Sequence, residues 1–312
     1  MEKLVIATRR SQLALWQSEY VKARLLEHYP NMQIELQEFV TKGDKILDVP
    51  LAKIGGKGLF TKELEVAMLE GSAHLAVHSL KDVPTQFEDG LMLAAVTKRF
   101  DPRDAFLSNK YISLEELPKG AIVGTTSLRR RMALKILRPD IELKDLRGNI
   151  NTRIAKLNAG EYDAIILAAT GIQKLGIENE VKYFSPISTD VMIPSMGQAT
   201  LGIETTNDPK VLEILKVLND NNAHIESTIE RSFVDTLQGG CQVPIGVKAT
   251  ILDENSIRVQ AIVGMPDGSE YISEDITADI EDYETIGQNL AQIFIDQGAK
   301  ELLEKAEKVA FK

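Results

Sequence analysis

The sequence predicts an α/β protein built as two lobes in series, followed by a smaller α/β domain. Three observations predict it. Apolar runs alternate with segments of 3.6-residue periodicity through the first half of the chain. The same grammar restarts after Asp101-Pro102, and from about residue 220 it gives way to strict every-second-residue alternation. A chain of 312 residues with 44% apolar composition can bury two or three cores.

In the N-terminal third, LVIA at 4–7 and LAV at 75–77 read as strands, with helices between them. Leu13, Trp16 and Tyr20 share one face of the first helix, which ends before Pro30. Leu64, Ala67 and Met68 share a face of the second, and Gly71 marks its stop. The second lobe reads AIVG at 121–124, a helix from Ser127, IEL at 141–143, a helix carrying Ile150, Ile154 and Leu157, and the apolar strand AIILAA at 164–169. The stretch 187–206 holds Pro194, Gly197 and Gly202 around short apolar pieces, and reads as a strand returning to the first lobe, so that two crossings make a hinge. Ile245, Val247, Ala249 and Ile251 alternate, as do Ile257, Val259, Ala261 and Val263, which predicts a half-buried antiparallel sheet. A final helix places Ile286, Leu290, Ile293 and Phe294 together. The expected boundaries are 1–98 with about 196–218 for lobe 1, 103–193 for lobe 2, and 220–312 for the third domain.

No apolar run is long enough to span a bilayer, and the first residues lack the pattern of a signal peptide, so a cytoplasmic protein is expected. One cysteine and four histidines provide neither an internal disulfide nor a thiolate zinc cluster. A net charge of −10 argues against general nucleic-acid binding. Cationic residues nevertheless gather in short loops, which suits a small anionic ligand.

Two strand-to-helix junctions, Thr8-Arg9-Arg10-Ser11 and Thr125-Thr126-Ser127-Leu128-Arg129-Arg130, place hydroxyls and free N–H groups at a helix N-terminus beside guanidiniums. Carboxylates or phosphates fit there; ordinary N-capping by Ser11 and Ser127 with solvated arginines is the alternative. GGKGLF at 55–60 opens a helix but matches no nucleotide fingerprint; its glycines allow a close ligand approach, with Lys57 adding charge. HSLKDVPT at 78–85 ends a strand in Ser79, Lys81 and Asp82, where open α/β sheets bind ligands, although Asp82 also suits a turn. His74 and His78 lie on a strand segment that would not pair them on a metal. In LRGNINTR, Asn149 and Arg153 are one helical turn apart, and Arg147 precedes them; a solvated helix face is the other reading. GGCQVPIG seats Cys241 between glycines and a proline, an exposed shaped loop rather than the usual buried thiol. No histidine nearby supports a cysteine-protease reading.

Taken in order, IATRRSQLALWQ, GGKGLFTKELE, HSLKDVPT, GTTSLRR, LRGNINTR, DAIILAATG and GGCQVPIG resemble the porphobilinogen deaminase family, also called hydroxymethylbilane synthase, over essentially the full length. The resemblance implies two lobes akin to type II periplasmic binding proteins, with the active site in the cleft between them. It also implies a C-terminal domain with a three-stranded antiparallel sheet. It implies a transferase of haem biosynthesis that condenses four porphobilinogen units with loss of ammonia to give hydroxymethylbilane. The cofactor implied is a dipyrromethane held through a thioether by Cys241. Residues matching the family's cofactor site are Ser79, Lys81, Thr125, Ser127, Arg129, Arg130, Arg147 and Gly148. Those matching its substrate site are Arg9, Ser11, Asn149, Arg153 and Lys174; Lys57 and Phe60 belong to its mobile loop. Asp82 matches the catalytic aspartate, placed to stabilise the methylene-pyrrolenine cation and relay protons. A monomer is implied, without metal, nucleic-acid or membrane partner, passing its product to the next enzyme of the pathway. Lys174 and Thr206 stand where the family generally carries arginine, and Ala199 where it carries glycine.

Two other classes share part of this pattern. A two-lobed binding protein would hold an anion without chemistry, and a thiol-dependent transferase would act on another anionic substrate. The third domain and the Gly-Gly-Cys loop weigh against the first.

Overall fold

A computed structural model describes residues 2–45, 59–238 and 243–310. The chain divides into two compact units, one of residues up to 45, 59–100 and 199–225, the other of 101–198 and 226–310.

The first unit is built on a five-stranded sheet of β1 (Lys3–Arg9), β2 (Gln33–Phe39), β3 (Leu75–Ser79), β4 (Leu91–Val96) and a late strand, Leu201–Thr206, in the order second, first, third, late, fourth. β1 runs parallel to β2 and β3, whereas the late strand is antiparallel to β3 and β4. Helices α1 (Gln12–His28), α2 (Lys42–Lys45) and α3 (Lys62–Leu69) belong to this unit. The period-2 rule holds within β1: Leu4 and Ile6 join the cluster of Val21, Leu25 and Ile203, while Ala7 joins that of Leu64, Ala67 and Met68.

α1 starts where Ser11 Oγ accepts the Ala14 N–H at 3.3 Å. Its buried stripe is Ala14, Gln17, Ser18, Val21 and Leu25, not the Leu13, Trp16 and Tyr20 face expected from size. Trp16 and Tyr20 instead stack at 5.4 Å, and both meet Phe100 edge-on. Aromatic rings need not be central to be packed.

The second unit repeats the sheet order. Its strands are β5 (Asp104–Ser108), β6 (Ile122–Gly124), β7 (Glu142–Lys144), β8 (Ala164–Ala168) and β9 (Tyr183–Pro186), and β5 takes the antiparallel position between β8 and β9. The late strand of the first unit is β10 (Leu201–Thr206). Each sheet therefore contains one antiparallel strand that follows a crossing of the chain. The fold is α/β, with one mixed five-stranded sheet in each unit. Helices α4 (Leu128–Leu137), α5 (Ile150–Asn158) and α6 (Ala169–Leu175) follow the parallel strands β6, β7 and β8.

α7 (Pro209–Leu215) and α8 (Asn221–Thr236) lead to a separate antiparallel sheet of β11 (Ile245–Ile251), β12 (Ser256–Gly264) and β13 (Tyr271–Asp279). Ile257, Val259, Ala261 and Val263 are fully buried, as their alternation predicts. On α9 (Tyr283–Asp296), Ile286, Leu290 and Phe294 are buried but Ile293 is 43% exposed, a departure from the expected face. Phe294 meets Phe233 of α8 edge-on at 5.1 Å. A closing helix α10 (Ala299–Ala310), not read from the sequence, adds buried Leu302, Leu303 and Ala306.

Candidate active site

In the first unit the carboxyl ends of β1 and β3 are neighbours, because Ala7 pairs with Ala76 in a parallel register. This brings the Arg9–Ser11 junction and the Ser79–Asp82 turn to one edge of one sheet, where α/β proteins hold ligands. A 3₁₀ turn spans Leu80–Asp82. Leu80 and Val83, both fully buried, pack with Val96 and Ala223, and the Leu80 N–H donates to Thr200 O at 2.9 Å. The two anchors fasten the turn, so Asp82 between them is exposed. Val83 is extended, as a residue before proline must be. Ser79 Oγ accepts the Gln17 Nε2–H at 2.8 Å, a partner from α1 that sequence reading did not pick out.

Arg9 ends β1 and forms a bidentate pair with Asp44, and Phe60 covers its guanidinium at 4.3 Å from the ring centroid. Beneath the sheet lies a buried polar group. His78 Nε2 and Glu204 Oε2 are 2.9 Å apart, and Glu65 accepts the Thr61 hydroxyl. Burial and the nearby Glu204 carboxylate push Glu65 above the ordinary carboxylate range. His74 takes the Val5 N–H on Nδ1, and no metal-ligating cluster exists among the described residues.

In the second unit, β6 runs parallel to both β7 and β8, so the loops after β6 and β7 lie side by side. The Thr125 N–H donates to Lys144 O at 2.9 Å and the Thr126 hydroxyl to Leu146 O at 3.2 Å. Ser127 caps α4 through the Arg130 N–H, and Asn149 caps α5 through the Thr152 N–H. Gly148 has φ of +112°, and a Cβ there would stand 2.7 Å from Thr152, so glycine is required between Arg147 and Asn149. Its carbonyl accepts the Arg153 Nε–H at 2.8 Å. Lys174 lies in the last turn of α6, which begins where β8 ends.

Arg129 and Arg130 are buried rather than solvated, contrary to the capped-helix alternative. Asp104, fully buried, accepts from Arg129 Nη1 at 2.7 Å, from Arg130 Nε and Nη2 at 3.0 and 2.8 Å, and from Gln198 Nε2 at 3.0 Å. Arg130 spends its third nitrogen on Ile166 O, and Arg129 Nη1 also donates to Ile193 O. Burial disfavours the Asp104 charge, yet the two guanidiniums hold its carboxyl far below the ordinary range. Two cations share one anion, so the pair keeps a net positive charge behind the β6 loop. Sequence reading missed Asp104, because nothing local marks an aspartate as the partner of arginines 25 and 26 residues away. Lys57 and Cys241, both expected in the site, lie outside the described residues.

Residues 4–213 match the family model "Porphobilinogen deaminase, dipyromethane cofactor binding domain", and 224–296 match "Porphobilinogen deaminase, C-terminal domain". The chain belongs to the porphobilinogen deaminase family. It is 99% identical over 312 residues, all of both chains, to "Porphobilinogen deaminase" of Aliarcobacter butzleri (strain RM4018). It is 59% identical over 307 residues, 98% of each chain, to "Porphobilinogen deaminase" of Sulfurimonas denitrificans. A looser likeness in shape is to the probable amino-acid ABC transporter extracellular-binding protein ytmK from Bacillus subtilis. It covers 70% of this chain and 90% of that one, at 13% identity and a TM-score of 0.41. For the porphobilinogen deaminase family a dipyrromethane-binding domain implies carboxylate-bearing rings. Within the second unit the donor set fits such a group: N–H-rich helix starts at Ser127 and Asn149, with cationic side chains beside them.

Proposed function

We propose that the chain is a transferase that joins four porphobilinogen molecules head to tail and releases hydroxymethylbilane, using a dipyrromethane primer bound as a thioether to Cys241. The observation that carries this reading is the cofactor-domain match over residues 4–213 in a chain with a single cysteine. When bound, the primer supplies a nucleophilic pyrrole α-carbon. The substrate would lose its amino group as ammonia, and the protein would have to take up the displaced pyrrole α-proton. Asp82, exposed on a turn fastened by Leu80 and Val83, would stabilise the positive charge on the reacting pyrroles and move that proton. Acetate and propionate arms would meet Arg9, Ser11, Asn149, Arg153 and Lys174 on substrate rings. On the primer they would meet Ser79, Lys81, Thr125, Ser127, Arg129, Arg147 and Gly148. Arg130, with all three nitrogens donating to protein groups, would act mainly by fixing Asp104 and Arg129. A division into 1–98 with 196–218, 103–193 and 220–312 is supported by the three sheets, one for each part. The same reading makes the enzyme a cytoplasmic monomer that passes its product to the next enzyme of the pathway.

Intact mass tests it. The purified protein should weigh more than its polypeptide by two linked pyrroles, and Cys241→Ala should lose that increment; an adduct retained in the variant removes Cys241 as the anchor. Asp82→Ala should fold normally and turn over at least about 100-fold more slowly, the scale of a lost general acid–base group.

A further inference from the structure

We propose that Asp44 is a positioning residue for Arg9, holding that guanidinium by one edge so that its other edge faces the substrate's carboxylate. The proposal rests on the reading of Arg9 as a substrate-binding residue. The Asp44 carboxylate takes the side edge of the guanidinium: Arg9 Nε donates to Oδ2 at 3.2 Å and Nη2 donates to Oδ1. A guanidinium has five N–H groups in a plane, and this contact uses only the Nε side. Among the described residues no partner meets Nη1, so the end-on fork stays available to a second carboxylate.

The carboxylate is itself held. Asp44 Oδ2 accepts the Thr41 N–H at 3.1 Å and the Thr41 hydroxyl at 2.8 Å, and Thr41 is fully buried. Burial raises the cost of the Asp44 charge, but the bonds from Arg9 and Thr41 outweigh it and keep the carboxyl below its ordinary range. The face of the guanidinium is fixed as well. Phe60 lies 4.3 Å from Arg9 Cζ, and the ring has room only because residue 43 is glycine: a Cβ there would stand 2.2 Å from it. The Gly43 N–H donates to Leu59 O at 2.8 Å, tying α2 to the stretch that carries Phe60. Edge and face together leave Arg9 a single orientation, at the strand end shared with the Ser79–Asp82 turn. Such pre-orientation lowers the ordering cost of binding a planar carboxylate.

A double-mutant cycle on the cofactor-loaded enzyme, read as porphobilinogen saturation curves, tests this. Asp44→Asn should raise KM by about tenfold, the scale of one charge-assisted contact, with kcat changed far less. In an Arg9→Ala background the same substitution should leave KM where Arg9→Ala alone puts it. A fall in KM for Asp44→Asn would mean that Asp44 competes with the substrate for Arg9, and overturns the proposal. So would an equal rise in both backgrounds, which marks a structural effect independent of Arg9. If Arg9→Ala itself leaves KM unchanged, it is the substrate-binding reading of Arg9 that fails. Thr41→Val, which removes the hydroxyl that holds Asp44, should raise KM in the same direction by a smaller factor; an unchanged KM there also counts against the proposal.

Discussion

Replacing Asp104 by Asn removes the one anion shared by two buried guanidiniums, and should be among the most damaging single changes in the second unit. Asp104 is 0% exposed, and Arg129 and Arg130 are 4% and 7% exposed, so water cannot take over the lost pairing. Breaking a buried ion pair from one side costs about 3–5 kcal/mol, because the remaining charge stays desolvated. Asparagine keeps one oxygen for Arg130 and Gln198, but turns an NH₂ toward Arg129 Nη1, donor against donor. A loss of about 4 kcal/mol is therefore expected, a large part of the roughly 5–15 kcal/mol that holds a folded chain. Urea unfolding followed by far-UV circular dichroism is the assay, since Trp16, the chain's only tryptophan, reports on the other unit. The carboxyl is depressed in the folded chain. Its contribution is thus present above the unfolded carboxylate range and lost as pH falls through the folded value. The gap between the two proteins should accordingly be constant from about pH 5 to 7 and close only below about pH 4. A loss of less than about 1 kcal/mol at pH 7, the value of a surface pair, would refute the reasoning.

Glu65 gives the opposite sign. Its folded pKa is raised, so the folded chain holds a proton that the unfolded chain releases, and stability from this group falls as pH rises through the folded value. Glu65→Gln keeps an acceptor for Thr61 and should match the parent at pH 4 but exceed its urea midpoint at pH 8; identical pH profiles would show that Glu65 is not raised. Ala199 occupies φ of +70°, a left-handed conformation that costs an L-residue about 1–2 kcal/mol, and it stands where the resemblance expects glycine. Ala199→Gly should stabilise the chain by about 0.5–1 kcal/mol after the entropy that glycine adds to the unfolded state. A lower thermal midpoint would count against that account.

Much of the fold is local physics, and the sequence by itself determined it. Period-2 and period-3.6 patterns located β1, β3, β8 and the buried face of α3, and Ser127 was a visible helix start. The motifs that carry the family resemblance are continuous in sequence, so the family, and the segments around Asp82, Cys241 and the cationic loops that match it, were legible before any coordinates. Three things only the tertiary structure decided. The return of β10 to the first sheet was read from residues 187–206, but its antiparallel seat between β3 and β4, and that of β5 between β8 and β9, was not, because no local period encodes partner or direction. Trp16, Tyr20 and Ile293 departed from their expected faces because burial depends on what lies opposite, and size alone does not say what that is. Arg129 and Arg130 read as solvated under ordinary helix capping, yet Asp104 draws both inside, and Asp44 clasps Arg9 from 35 residues away. A charge can be buried only where an opposite charge meets it, and such meetings join residues far apart in the chain.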